Sequence, residues 1–300
     1  MNEFQKANQK GLNTVQTITQ DINVTVKTLG KRGDDQEYRA IIDWLTPVNY
    51  ALQQSDFIAR RQEGTGEWLL VSNEFQQWLS QSNQTLFCPG MPGAGKTIIS
   101  SIVIDHLHKA FGNDPAIGIA YLYCNFRQQH EQKSSDLIMS LLKQLVQGQP
   151  SMPDVVNNLY CHHTPRGTRP SPDEILSTLN YVAAFYSRTF IVIDALDECQ
   201  VSHEGRGKFL QDIFNFQAKI GVNVFATSRF IQEIENKFDK SIRLEIHASD
   251  ADVRKYLDRK LQNFQSFVLK NPSFQAEIIN KIAWAADGMY VLLNSNNYIS

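Results

Sequence analysis

The sequence predicts an α/β protein: a five-stranded parallel sheet between helices, with helices before it and a short helical subdomain after it. Three observations predict this class. The apolar run Leu86-Phe87-Cys88 stops at Pro89 and breaks into Gly90-Met91-Pro92-Gly93-Ala94-Gly95-Lys96-Thr97, after which Ile98, Ile99, Ile102, Val103 and Leu107 recur at helical spacing. About a hundred residues later, Thr189 to Ile193 reads as a buried strand that ends in Asp194, with Asp197 and Glu198 close behind. Three further strand-like runs, Ile117 to Cys124, Gly221 to Ala226 and Ser241 to Ile246, alternate with helical patterns, as parallel crossover units require.

The first observation also carries chemistry. Gly90, Gly95, Lys96 and Thr97 satisfy G-x-x-x-x-G-K-[ST], set between a strand and a helix. Glycines let successive backbone N–H groups curl round a phosphate, and the helix behind them adds a positive dipole end. The spacing predicts that Gly90, Pro92, Gly93, Ala94, Gly95, Lys96, Thr97 and Ile98 form the nucleotide-binding loop. Lys96 is expected to reach the β- and γ-phosphates, and the Thr97 hydroxyl to ligate Mg²⁺. Asp194, at a strand's C-terminal tip, is expected to hold the same Mg²⁺ through water. Glu198, with Asp197 as the other candidate, is expected to polarise the attacking water. Thr227-Ser228-Arg229 ends the next strand, and Arg229 there is expected to sense or stabilise phosphate charge. The catalytic set is therefore Glu198, Asp197 and Arg229, and the metal set Thr97 and Asp194.

Composition bounds the rest. Three hundred residues allow one large or two modest domains. A net charge of −2 with 20% charged residues points to neither nucleic acid nor a membrane surface as partner. No apolar signal region opens the chain, no run is long enough to span a bilayer, and a cytoplasmic location is expected. Cys88, Cys124, Cys161 and Cys199 are far apart and form no C-x-x-C pair, which suits free thiols in a reducing compartment.

Along the chain, residues 12–29 carry Leu12, Val15, Ile18, Ile22, Val26 and Leu29 on one helical face. A short helix from Gln36 to Leu45 follows. Glu67 to Leu79 reads as one amphipathic helix through Trp68, Val71, Phe75 and Trp78. Ser134 or Ser135 is expected to cap a helix reaching Val146. The segment from Gln147 to Pro170 holds Cys161-His162-His163, without the second ligand pair that a zinc finger needs. Ser171-Pro172-Asp173-Glu174 is a capping box with proline at the first helical position, launching a helix to about Tyr186. Ser249 is expected to cap a helix through Leu261, and a last helix spans 273–286.

Together these residues resemble a NACHT domain of the STAND class of P-loop NTPases, most like the NLR-like proteins of filamentous fungi, which often carry ankyrin repeats. The resemblance covers about Ile41 to Leu293. It rests on Gly64-Thr65-Gly66-Glu67-Trp68, the loop Gly90 to Thr97, Asp194-Ala195-Leu196-Asp197-Glu198, Ala226-Thr227-Ser228-Arg229 and Asp287-Gly288-Met289. It implies an N-terminal helical segment (1–45), a lead-in linker and helix (46–83), a nucleotide-binding domain (84–248), an incomplete helical subdomain (249–293) and a tail (294–300). It also implies slow turnover of ATP or GTP with Mg²⁺, ADP or GDP in the resting state, and a switch that works by self-association or with a full-length NLR-like relative. Nucleic acid and membrane are not expected partners. Family members continue into more helices, a winged-helix module and repeats, so the expectation is a chain cut short of those parts. The alternative is a non-catalytic nucleotide-binding adaptor or decoy that acts through its N-terminal helix.

Overall fold

The structure, a computed structural model, describes residues 35–125, 133–199, 203–247 and 249–261. The chain divides into two compact units, Met1–Pro47 and Val48–Ser300. In the first, residues 35–45 form helix α1. The helix expected over 12–29 lies outside the described residues, as do the one over 273–286, Asp287-Gly288-Met289 and the tail.

The second unit runs α2 (Tyr50–Arg60), α3 (Glu67–Leu70), α4 (Asn73–Ser80), β1 (Thr85–Pro89), α5 (Lys96–Phe111), β2 (Ile117–Tyr123), α6 (Ser134–Gln147), α7 (Asp154–His163) and α8 (Pro172–Ala183). It continues through β3 (Arg188–Asp194), α9 (His203–Ile220), β4 (Asn223–Ser228), α10 (Gln232–Glu235), β5 (Ile242–Arg243) and α11 (Asp250–Leu261). The strands make the expected five-stranded sheet, in the order β2-β3-β4-β1-β5, and every pairing is parallel. Helices cover it, and the fold is that of a P-loop NTPase. The central strands are buried almost throughout: β3 reads Phe190, Ile191, Val192, Ile193 and β4 reads Val224, Phe225, Ala226, all at 1% exposure or less. Such near-continuous apolar runs are what a parallel sheet covered on both faces demands. Trp78 of α4 is fully buried and donates its Nε1–H to the Val224 carbonyl at 2.9 Å, so the apolar body packs while the polar tip is satisfied.

This order matters for the site. β4 lies between β1 and β3, so the C-terminal ends of β1, β4 and β3 stand side by side at one edge of the sheet. That edge is where open α/β sheets bind ligands.

Several sequence expectations are corrected. The stretch from Glu67 to Leu79 is two helices rather than one. The Ser72 hydroxyl accepts the Phe75 N–H and restarts the helix, leaving Val71 77% exposed instead of on the buried face. Lys133, not Ser134 or Ser135, is the N-cap of α6, with the Asp136 carboxylate accepting the Lys133 N–H. The helix launched by Ser171 forms its capping box as expected but ends at Ala183. The segment 147–170 contains α7, and α9 fills the stretch before β4. The strand expected over 221–226 is shifted two residues later, and the fifth strand shrinks to two residues.

The cysteines are corrected too. Cys124 follows β2 and Cys199 follows the acid turn after β3. Because those strands are neighbours, the two Cα atoms come within 5.1 Å and the side chains form a disulfide. A separation of 75 residues hides this pairing in the sequence. Only Cys88 and Cys161 are free, so cysteine usage no longer argues for a reducing compartment. Among the described residues no helix is long and apolar enough to cross a membrane.

Candidate functional site

β1 delivers the chain to the sheet edge and the loop after it turns back into α5. Gly90 is pinned by its surroundings. Its N–H donates to the Ser228 carbonyl at 3.0 Å, and a Cβ there would sit 2.4 Å from the Ile246 carbonyl oxygen, so only glycine fits. Gly93 and Gly95 take left-handed backbone (φ 80° and 89°), and Gly95 is the N-cap of α5. The turn thus aims the first N–H groups of a 16-residue helix, those without intrahelical acceptors, at the loop. Ala94 is buried beneath it, whereas Pro92 is exposed.

The Lys96 ammonium donates to the carbonyls of Gly90 and Met91, both at 2.8 Å. Burial pulls its pKa below the ordinary lysine value, and the carboxylates of Asp197 and Asp194 oppose that.

Asp194 ends β3 at 2% exposure, and three hydroxyls meet it. Thr97 Oγ1 donates to Oδ2 at 2.8 Å; Ser100 Oγ and Thr227 Oγ1 each donate to Oδ1 at 2.7 Å. Burial pushes the Asp194 carboxyl up, against the pull of those hydroxyls and of the Lys96 charge. Thr227 also braces the turn that follows, its oxygen accepting the Ala195 N–H at 2.9 Å. Ala195 takes left-handed backbone (φ 56°, ψ 53°), an uncommon state for a residue with a Cβ, and turns the chain sharply into Leu196-Asp197-Glu198.

The two acids after that turn differ. Asp197 has a side chain 4% exposed and accepts the Arg229 N–H at 3.0 Å and Arg229 Nε at 2.8 Å. Glu198 is 27% exposed and lines a cleft of about 1240 Å³, together with Ala94, Gly95, Thr97, Ile98 and Asp194. Arg229 also reaches Glu198, Nη2 to Oε1 at 3.2 Å. The structure therefore gathers Lys96, Thr97, Asp194, Asp197, Glu198 and Arg229 at one sheet edge.

The motifs do not reveal Ser100 or the bridging position of Thr227. Ser100 lies three residues after Thr97 on α5, on the same helical face, which is the one local signal that points to it. Cys161-His162-His163 stands apart from this edge. There His163 is buried and meets Thr168 Oγ1 at 2.8 Å and Glu174 Oε1 at 3.4 Å, joining α7 to the start of α8.

Among solved structures, the chain is similar to a DNA replication initiation factor (15% identity, TM-score 0.39, covering 76% of this chain and 63% of that one). It is also similar to the Aeropyrum pernix ORC2 protein (14%, TM-score 0.43, covering 68% and 52%) and to domain III of the Thermotoga maritima replication initiation protein DnaA (12%, TM-score 0.39, covering 81% and 85%). The chain thus spans 63% and 52% of the first two. No curated protein matches it. A family model described as "Nephrocystin 3, N-terminal" matches residues 64–229, more than half of the chain. That stretch runs from the lead-in loop through the phosphate loop and acid turn to Arg229, and the chain belongs to this family.

Proposed function

We propose that this chain binds a Mg²⁺–purine nucleoside triphosphate and hydrolyses it slowly, as a NACHT-type switch. The observation that supports the reading is the 2.8 Å hydrogen bond from the Thr97 hydroxyl to the Asp194 carboxylate. It joins the helix after the glycine loop to the tip of β3, within a cleft that Glu198 also lines.

The donor set fits Mg²⁺. A hydroxyl and one carboxylate, both hard oxygens, suit a small cation that keeps several waters and takes its other ligands from phosphate. Among the described residues no three His, Cys, Asp or Glu side chains gather into a metal cage of their own, so such an ion would rely on the nucleotide. Thr97 and Asp194 would hold it, and it would neutralise charge on the β- and γ-phosphates.

The remaining chemistry falls to the chain. The loop N–H groups and Lys96 bind the phosphates. Glu198 orients a water and takes its proton as the oxygen bonds to the γ-phosphorus and the bridging P–O bond breaks, giving the nucleoside diphosphate and inorganic phosphate. Asp197, buried and held by Arg229, positions that arginine at the γ-phosphate end. The boundaries 84–248 for the nucleotide-binding domain and 249–293 for a helical subdomain belong to this reading.

The test is a titration of a fluorescent ATP analogue in Mg²⁺. Lys96→Ala removes a charge-assisted contact worth about 1.5–3 kcal/mol, so the dissociation constant should rise roughly ten- to a hundredfold. Equal constants for wild type and variant would end the proposal.

A further inference from the structure

The cleft is larger than its phosphate end. It is also lined by Thr65, Gly66 and Trp68 on the lead-in side and by His247, Asp252 and Tyr256 before and along α11. These two segments are fastened together. Lys255 Nζ donates to the Gly64 carbonyl at 2.8 Å, and the Gly66 N–H donates to Asp252 Oδ2 at 2.9 Å. Beside them the rings of Trp68 and His247 stack with centroids 5.8 Å apart, giving the cleft a flat aromatic wall.

Asp252 is the unusual member. It is 5% exposed, although charged side chains are rarely so buried without a full set of partners. An acid in the first turn of a helix commonly turns back to its own N-cap. This one accepts from Gly66 across the cleft instead, while its backbone N–H donates to the Ser249 hydroxyl oxygen. Oδ2 is thereby used, and Oδ1 has no hydrogen-bond partner among the described residues. Of the other acids lining the cleft, Asp194 and Glu198 belong to the phosphate end, and Asp56 is half exposed and paired with Arg60. An aromatic wall with one oriented polar atom beside it is a usual form of a site for a flat, weakly polar ligand.

We propose that Asp252 reads the purine base, its Oδ1 accepting a hydrogen bond from the 6-amino group of adenine, so that the site selects adenine over 6-oxo purines. The inference rests on the nucleotide reading above. Hypoxanthine and guanine present a carbonyl oxygen at position 6, and two acceptors facing each other leave a buried carboxylate oxygen unpaired. The N1–H of these bases lies beside that carbonyl and meets Oδ1 only if the base shifts along the Trp68–His247 wall.

Binding of MgATP, MgITP and Mg-tripolyphosphate to the whole chain, by calorimetry, tests it. ITP differs from ATP at position 6 of the base, and tripolyphosphate carries no base. Wild type should prefer ATP to ITP by about ten- to a hundredfold, the range of one charge-assisted hydrogen bond. Asp252→Asn keeps the shape and an acceptor for Gly66 but turns a donor toward the base, so the preference should fall to about one or reverse, with tripolyphosphate affinity retained. A wild-type ratio near one, or a ratio that Asp252→Asn leaves unchanged, overturns the inference and leaves the phosphate reading standing. If wild type binds none of the three, both are wrong.

Discussion

Between Gly90 and Lys96 most of the hydrogen bonds are local: Lys96 donates to Gly90 and Met91, and the Ala94 N–H donates to Met91, while the Gly90 N–H reaches out to Ser228 on β4. At Asp194 the partners come from far away. Thr97, Ser100 and Thr227 lie 97, 94 and 33 positions distant and belong to α5 and β4. Both regions carry polar groups at the same sheet edge. The loop is mainly a backbone device whose shape depends on glycines, anchored to β4 at Gly90. The acid turn is a side-chain device that exists only when three elements are already packed. Changes in the loop should therefore appear in ligand binding, and changes around Asp194 in stability as well.

Four sets of variants break or sharpen that contrast. The largest effect is expected at Glu198, which lines the cleft but lies outside the hydroxyl cluster. Glu198→Gln should leave nucleotide affinity in place and lower turnover by about 10²–10⁴-fold, the usual loss for a missing general base. Steady-state phosphate release measures it, and an unchanged rate would mean the chemistry is not run by this carboxylate.

Next comes Thr227→Val, of equal volume but without the hydroxyl. It strips one donor from Asp194 and orphans the buried Ala195 N–H, for a cost of about 1–3 kcal/mol in a urea titration. Lys96→Ala should shift the same midpoint by less than about 0.5 kcal/mol, as substitutions away from the core packing do. Comparable losses for both would erase the distinction between the two devices.

Acidity provides a third comparison. The Asp194 pKa is raised in the folded chain, so the native state holds the proton more tightly than the unfolded one. Stability from this group is present below the unfolded value and is lost as pH rises from there through the folded value. Asp194→Asn cannot titrate, and its stability should fall less than wild type's over that window. Parallel curves for the two proteins, followed by thermal melts across pH, would contradict the assignment.

The smallest effect pairs two serines. Ser171→Ala removes the exposed cap of α8 and should cost about 1 kcal/mol with nucleotide binding untouched. Ser100→Ala should cost a similar amount and also weaken the Mg²⁺ dependence of nucleotide binding, since it removes one of the two donors that hold Asp194 Oδ1. A magnesium titration separates them; identical magnesium curves would leave Ser100 a packing residue only.

The same contrast explains what can be read from the sequence. Lys96, Thr97, Asp194 and Glu198 are legible because each sits at a fixed offset from a glycine turn or a strand end. The five strands are legible as apolar runs, although β5 keeps only two residues at the sheet's edge. The partners of Ser100 and Thr227 are not legible, because a hydroxyl's hydrogen bond to a residue tens of positions away leaves no periodic trace. Helix α9 shows Phe209, Leu210, Ile213 and Phe216 at helical spacing, all at 3% exposure or less, but the glycines at 205 and 207 mask its start. The Cys124–Cys199 bond follows from the adjacency of β2 and β3, which no local pattern states. Val71 misleads because a periodicity of apolar residues continues across a serine that restarts the helix.

The bonds from Thr97 and Ser100 to Asp194 have a mechanical consequence. They tie the first two turns of α5 to the tip of β3, so sliding the helix along the strand by one residue's rise, about 1.5 Å, would stretch both bonds at once. Helix and strand therefore travel as a single rigid body. Any displacement that a ligand drives must be taken up where the chain is fastened more lightly.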